Sequence, residues 1–128
     1  MFRFALPVAA LLVIGAAPSG SSNHQAELDR ALAGFTAGEE VACVRPADVS
    51  QMRTFPDTIL YDKGRNTIWR NTPTQGCSLG KGDIVVSINP KGRFCAGDVI
   101  QTRRPVGGTI TGSCALNKFV TYTRAASK

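Results

Sequence analysis

The pattern of apolar positions divides the chain into three kinds of segment. Ala5 to Ala17 is an unbroken apolar run. From Gln25 to Phe35 the residues Ala26, Leu28, Ala31, Leu32 and Phe35 recur at helical spacing and the stretch stops at Gly34 to Gly38, which predicts one short helix. Beyond it the apolar residues fall in short runs separated by Gly, Pro, Asn and Asp, as short antiparallel strands do. Val41-Ala42-Cys43-Val44 is the first run, ended by Arg45-Pro46 because proline has no ladder donor. Thr58 to Tyr61 and Asn66 to Trp69 flank Asp62-Lys63-Gly64-Arg65 and predict a β-hairpin; with those four residues as the loop, Ile59 faces Ile68 and Thr58 faces Trp69. Asp83 to Ile88, turning through Asn89-Pro90-Lys91-Gly92 into Arg93-Phe94-Cys95, predicts a second strand pair. Asp98 to Thr102, a turn at Gly107-Gly108, Thr109 to Thr111 and Lys118 to Thr123 supply the remaining strands. The predicted architecture is mainly β: a small antiparallel barrel or sandwich with one short N-terminal helix.

The first run changes the domain division. Met1-Phe2-Arg3-Phe4 carries one positive charge ahead of it, the arrangement of a secretory signal. As a helix, Ala5 to Ala17 reaches only about 20 Å, short of the roughly 30 Å hydrocarbon core, so a cleaved signal is expected rather than a membrane span. Small residues at Gly15-Ala16-Ala17 and Ala17-Pro18-Ser19 offer two cleavage sites. The expected division is residues 1–22 for the signal and its cleavage region, 23–40 for a linker and the short helix, 41–124 for the β domain, and 125–128 for a tail. Across the first boundary, Pro18 to Asn23 is polar and rich in Gly and Ser, the composition of a connecting segment. The roughly 105 residues that remain suffice for a single core. With 43% hydrophobic and 19% charged residues, the composition is that of a packed domain rather than a disordered chain.

Four cysteines, Cys43, Cys77, Cys95 and Cys114, lie downstream of the signal, and an even number in an oxidising compartment predicts two disulfides. Cys77 and Cys95 bracket the segment Asp83 to Ile88, while Cys43 and Cys114 lie in the first and near-last strands. The favoured pairing is therefore Cys77 with Cys95 and Cys43 with Cys114, with the two other connectivities open. No Cys-x-x-Cys occurs and His24 is the only histidine, so neither a redox pair nor a zinc site has its ligands. The expectation is no metal and no cofactor.

The net charge is +6, and loss of Arg3 with the signal leaves +5. For an exported protein such a charge favours anionic lipid, acidic envelope polymers and acidic proteins, and places nucleic acid out of reach. Arg65, Arg70, Lys81, Lys91 and Arg93 surround the two predicted hairpins, and Arg103-Arg104 before Pro105 is the densest basic spot. Together they form a candidate anion-binding face, or a solvated rim that discourages edge-to-edge strand pairing. Tyr61 and Trp69 are a candidate aromatic platform, or core residues. No catalytic constellation is present: His24 sits in a segment without a scaffold, and Asp83 and Asp98 are candidate carboxylates only because they begin strands, where acids commonly cap turns. Gly80-Lys81-Gly82 matches no phosphate-binding loop.

Val41-Ala42-Cys43-Val44, Thr58-Ile59-Leu60, Trp69-Arg70-Asn71, Cys77 with Leu79-Gly80, Cys95 with Asp98-Val99-Ile100, and Gly112-Ser113-Cys114-Ala115-Leu116-Asn117-Lys118-Phe119 occur in that order. As an ordered set they resemble a family of short exported bacterial proteins known as a domain of unknown function. Trp69 stands where that pattern has Tyr, and Asn117-Lys118 where it has Gly-Arg. The resemblance implies export and a cysteine-stapled fold and supplies no substrate, cofactor or catalytic residue. The function expected is a non-catalytic binding or structural module of the bacterial envelope, its partner an acidic envelope polymer or protein. The alternatives are a small hydrolase using Asp83 or Asp98, and an inhibitor of another exported enzyme with the Asp62 to Arg65 loop as its wedge.

Overall fold

A computed structural model describes residues 21–88 and 91–125 of the chain. The predicted signal segment, the turn residues Asn89 and Pro90, and the tail beyond Ala125 lie outside the described residues. Helix α1 (Ser21–Ala31) is followed by strands β1 (Thr36–Val41), β2 (Cys43–Val44), β3 (Gln51–Phe55), β4 (Thr58–Lys63), β5 (Thr67–Asn71), β6 (Ile84–Ser87), β7 (Phe94–Cys95), β8 (Val99–Arg103), β9 (Ile110–Ala115) and β10 (Phe119–Thr123). The helix begins inside the stretch read from sequence as a linker and stops earlier than predicted. Gly34 takes up a left-handed conformation (φ +82°) that only glycine adopts without strain, and the chain turns there into β1.

The strands form three antiparallel sheets, ordered β1-β10-β5-β4-β3, β2-β7 and β6-β8-β9. None closes into a barrel; the arrangement is a sandwich with a helix on its outside. One face of the five-stranded sheet packs on the two smaller sheets, where Ile59, Tyr61 and Phe119 meet Val44, Ile100, Cys114 and Leu116. The other face is covered by α1, where Leu28 meets Leu60 and Ile68 beneath Ala31, Leu32 and Phe35. The continuous apolar run at Thr58 to Tyr61 follows from this double burial: β4 is covered on both faces.

The β4–β5 hairpin exists, but in a different register from the one predicted. β4 continues through Lys63 and the link is Gly64-Arg65-Asn66, so Tyr61 faces Trp69, Asp62 faces Ile68 and Ile59 faces Asn71. Gly64 supplies the left-handed turn (φ +60°). The shift places Ile59, Tyr61 and Trp69 on the sandwich side and Leu60 and Ile68 on the helix side, so that both cores are filled. It also draws Asp62 into the sheet, where Arg53 of β3 donates to its carboxylate at 2.9 Å.

The second predicted hairpin does not form. β6 pairs with β8, Val85 opposite Thr102, while β7 crosses to β2. Phe94 is drawn away by the core, its ring 5.6 Å from that of Tyr61, and Cys95 lands opposite Cys43. The disulfide pairing changes with it: the bonds are Cys43–Cys95 and Cys77–Cys114, not Cys77–Cys95 and Cys43–Cys114. The two closed loops therefore interleave instead of nesting. The cause is strand order, because Cys43 and Cys95 are direct cross-strand neighbours. Cys77, in turn, runs beside β9, where Ser113 N–H donates to Gly76 C=O at 3.1 Å. Gly112 makes that approach feasible, since a Cβ there would stand 2.8 Å from Cys77 Cα.

Proteolytic mapping of the oxidised protein should recover Cys43 linked to Cys95 and Cys77 linked to Cys114, and the Cys43→Ala, Cys95→Ala double variant should lose about 4 kcal/mol of stability by the loop-entropy argument. Recovery of Cys77 linked to Cys95 would refute the topology. Burial also pushes the Tyr61 phenol well above its ordinary range, so the folded chain resists its ionisation. The unfolded phenol titrates near pH 10; the contribution is therefore complete below about pH 10 and declines as the pH rises above it, by at most about 1.4 kcal/mol per pH unit. A Tyr61→Phe variant should lack this alkaline decline when urea midpoints are compared across that range.

Candidate functional site

Thr102 anchors the most developed surface feature. Its fully buried hydroxyl oxygen accepts from Ser78 N–H at 2.9 Å and from the Thr111 hydroxyl at 3.0 Å, so the segment after Cys77 is tied to both β8 and β9. The Cys77–Cys114 bond fixes the same segment from the other side. Between it and the β8–β9 loop lies an open cleft of about 800 Å³, lined by Ser78, Lys81, Asp83, Arg104, Val106 and Ile110 among others. The loop is closed by Arg104 N–H donating to Thr109 C=O at 2.9 Å, and Gly107 and Gly108 take left-handed conformations at its end. Val106, beside them, is 89% exposed.

Ile110, which lines the cleft, also borders the outer face of the β6-β8-β9 sheet. Residues alternate along a strand, and the register sets Ile84, Val86 and Ile88 of the β6 segment beside Arg103, Gln101 and Val99 of β8 on that face. Ile110 lies across from Arg103 on the other flank. Ile84, Ile88, Val99 and Ile110 are all exposed, Ile110 at 55%. Such a group of apolar side chains with a polar border is a feature of interaction surfaces. Arg103 stands among them with one hydrogen bond, Nη2 donating to Gln101 Oε1 at 2.8 Å, and its buried Nε has no partner. Among the described residues the ion pairs are Arg45–Asp48 and Arg53–Asp62, so Lys81, Arg103 and Arg104 stand outside any ion pair, although Asp83 shares the cleft with Lys81 and Arg104.

The seven basic residues singled out from sequence do not form one face. Lys81 and Arg104 meet at the cleft, and Arg103 projects beside it. Lys91 and Arg93 are exposed in the link before β7, beyond the far end of β6. Arg65 sits with Arg53, Asp62 and Arg124 at the β4–β5 link, and Arg70 projects to the helix side of the large sheet, where its Nη1 donates to Tyr122 Oη at 3.4 Å. The two layers of the sandwich separate them. Nor do Tyr61 and Trp69 form a platform: Tyr61 is 2% exposed, packed edge-on against Phe119, and Trp69 packs against the same core with Lys63 over its ring.

The candidate acids are likewise kept apart. Asp98 is buried in the turn before β8, where its Oδ2 accepts from Cys95 N–H at 2.9 Å, a turn-closing role. Asp83 lies beyond the opposite end of β8, level with Arg104, six residues away along the strand or about 20 Å. A glycosidase-type carboxylate pair needs a separation below about 10 Å. Of the Asp62 to Arg65 segment read as a wedge loop, Asp62 and Lys63 lie inside β4, and Gly64 N–H donates to Ser50 Oγ at 3.3 Å. Among the described residues no group of three or more His, Cys, Asp or Glu side chains could hold a metal, and no helix is long and apolar enough to cross a membrane. Ser78, Thr102, Ile84 and Ile110 were not singled out from sequence, because the run Ile84 to Ile88 reads as a strand without saying which face is covered. Comparison with known proteins finds no matching family model, no matching curated protein and no matching solved structure.

Proposed function

We propose that the protein is a non-catalytic binding module of the bacterial envelope that engages an acidic envelope partner through the cleft and outer face of the β6-β8-β9 sheet. The observation that carries this reading is the juxtaposition of unpaired Lys81, Arg103 and Arg104 with exposed Ile84, Val106 and Ile110 on a surface held rigid by a disulfide. Cations attract an anionic partner over a Debye length of roughly 10 Å at 0.1 M salt, and the apolar residues add contact once it has arrived. Export is supported by the signal-like N-terminus, by two disulfides that persist in an oxidising compartment, and by the resemblance of the cysteine framework to exported proteins.

The test is retention on immobilised lipopolysaccharide, lipoteichoic acid and acidic envelope protein as ionic strength is raised. The full chain, as recovered from cells, should be held at low salt and released as salt screens the contacts. The Lys81→Gln, Arg104→Gln double variant, which alters exposed side chains at the cleft, should bind about tenfold more weakly, the equivalent of roughly 1.4 kcal/mol. Unchanged retention of the variant, or none of the wild type on any of the three, would refute the reading.

A further inference from the structure

We propose that the partner is an extended acidic polypeptide segment that adds as a strand to the free edge of β6; this rests on the binding-module reading above. The hydrogen-bond phase of the sheet shows why the edge is available. Ile88 N–H donates to Val99 C=O at 3.3 Å, so the alternate positions Val86 and Ile84 also direct their main-chain groups toward β8. Val85 and Ser87 then direct theirs away from the sheet. Among the described residues no hydrogen bond reaches the N–H or C=O of either. The opposite edge of this sheet is covered, because Thr74 N–H and Gly76 C=O bond to Ala115 and Ser113 of β9.

The outer strands of the five-stranded sheet carry features that discourage pairing. β1 is interrupted by an irregularity between Ala37 and Glu40 and bears two glutamates, and β3 bears Arg53 and is followed by Pro56. β6 reads Ile-Val-Val-Ser, with no charge, proline or bulge. An incoming strand would satisfy the groups of Val85 and Ser87 and lay its own side chains beside Ile84, Val86 and Ile88.

Charge selects the occupant. Lys81 precedes the strand, Lys91 and Arg93 follow it, and Arg103 lies beside Ile84; of the acids near it, Asp98 is buried and accepts from Cys95 N–H, which leaves Asp83. A segment with apolar residues at its centre and carboxylates at its ends matches this order. A second copy paired antiparallel through β6 would instead bring Lys81 of one chain against Lys91 and Arg93 of the other. A lipid surface would supply the charge but no partners for the main-chain groups of Val85 and Ser87.

The probe is an acetylated, amidated peptide, Glu-Val-Thr-Val-Thr-Val-Glu, titrated into the isotopically labelled full chain and followed by amide shifts. A second peptide has alternate backbone nitrogens methylated, which preserves side chains and charge but removes donors. In the Ser87→Pro variant, proline removes the outward N–H and leaves the β6–β8 bonds in place. Binding should centre on Val85 and Ser87 and weaken at least tenfold on backbone methylation, and also in the variant once its thermal midpoint is shown to match the wild type. Equal binding of both peptides would overturn strand addition while leaving an anion-binding module standing. Retention on lipopolysaccharide or lipoteichoic acid without peptide binding would do the same. Loss of all binding would overturn both. Concentration-dependent dimerisation abolished by Ser87→Pro would assign the edge to a second copy and likewise overturn the proposal.

Discussion

The structure depends on the Cys77–Cys114 bond and its interleaving with Cys43–Cys95. β6, β8 and β9 alone would form a three-stranded sheet whose outer face has no cover, and so small a sheet contributes little core. The first bond fastens the segment after Cys77 to β9, and Thr102 fastens the same segment to β8. The second attaches β7 to β2, which seats Phe94 against Tyr61 and thereby joins the small sheets to the large one. Because the loops interleave, neither half of the domain can open without straining the other. At about 4 kcal/mol each by loop entropy, the two bonds match most of the 5–15 kcal/mol net stability usual for a domain.

That rigidity permits an arrangement which a looser protein would avoid. An apolar strand with free main-chain groups invites unwanted pairing, and most proteins cover or charge it. Here the inner side of β6 is committed, with Val85 packed against the main core, while the outer side and the edge are left open. On the proposed reading, Lys81 before the strand and Lys91 and Arg93 after it would keep like-charged copies apart and draw acidic chains in. On that reading the same charges would serve solubility and selection together.

Much of this was legible in the sequence, and most of the failures share one cause. The helix, the β class, the existence of two disulfides, the β4–β5 hairpin and the strand from Asp98 to Thr102 follow from local periodicity and turn residues. Strand partners did not, because pairing between distant segments leaves no local mark. Neighbouring runs such as Asp83 to Ile88 and Arg93 to Cys95 look like a hairpin until Phe94 finds Tyr61. β3 was overlooked although Pro56-Asp57 before Thr58 is a turn signal, since Gln-Met-Arg-Thr-Phe lacks clear alternation. The basic residues were recognised as a group, but layer and strand face, which decide whether they converge, are set only by the assembled sandwich.

The open edge of β6 is the central claim, and amide hydrogen exchange resolved by residue tests it most directly. In the free protein, Val85 and Ser87 should exchange roughly a hundredfold or more faster than Val86, whose N–H lies on the β8 side. Protection of Val85 and Ser87 equal to that of Val86 would mean that the edge is already occupied, and would contradict the account.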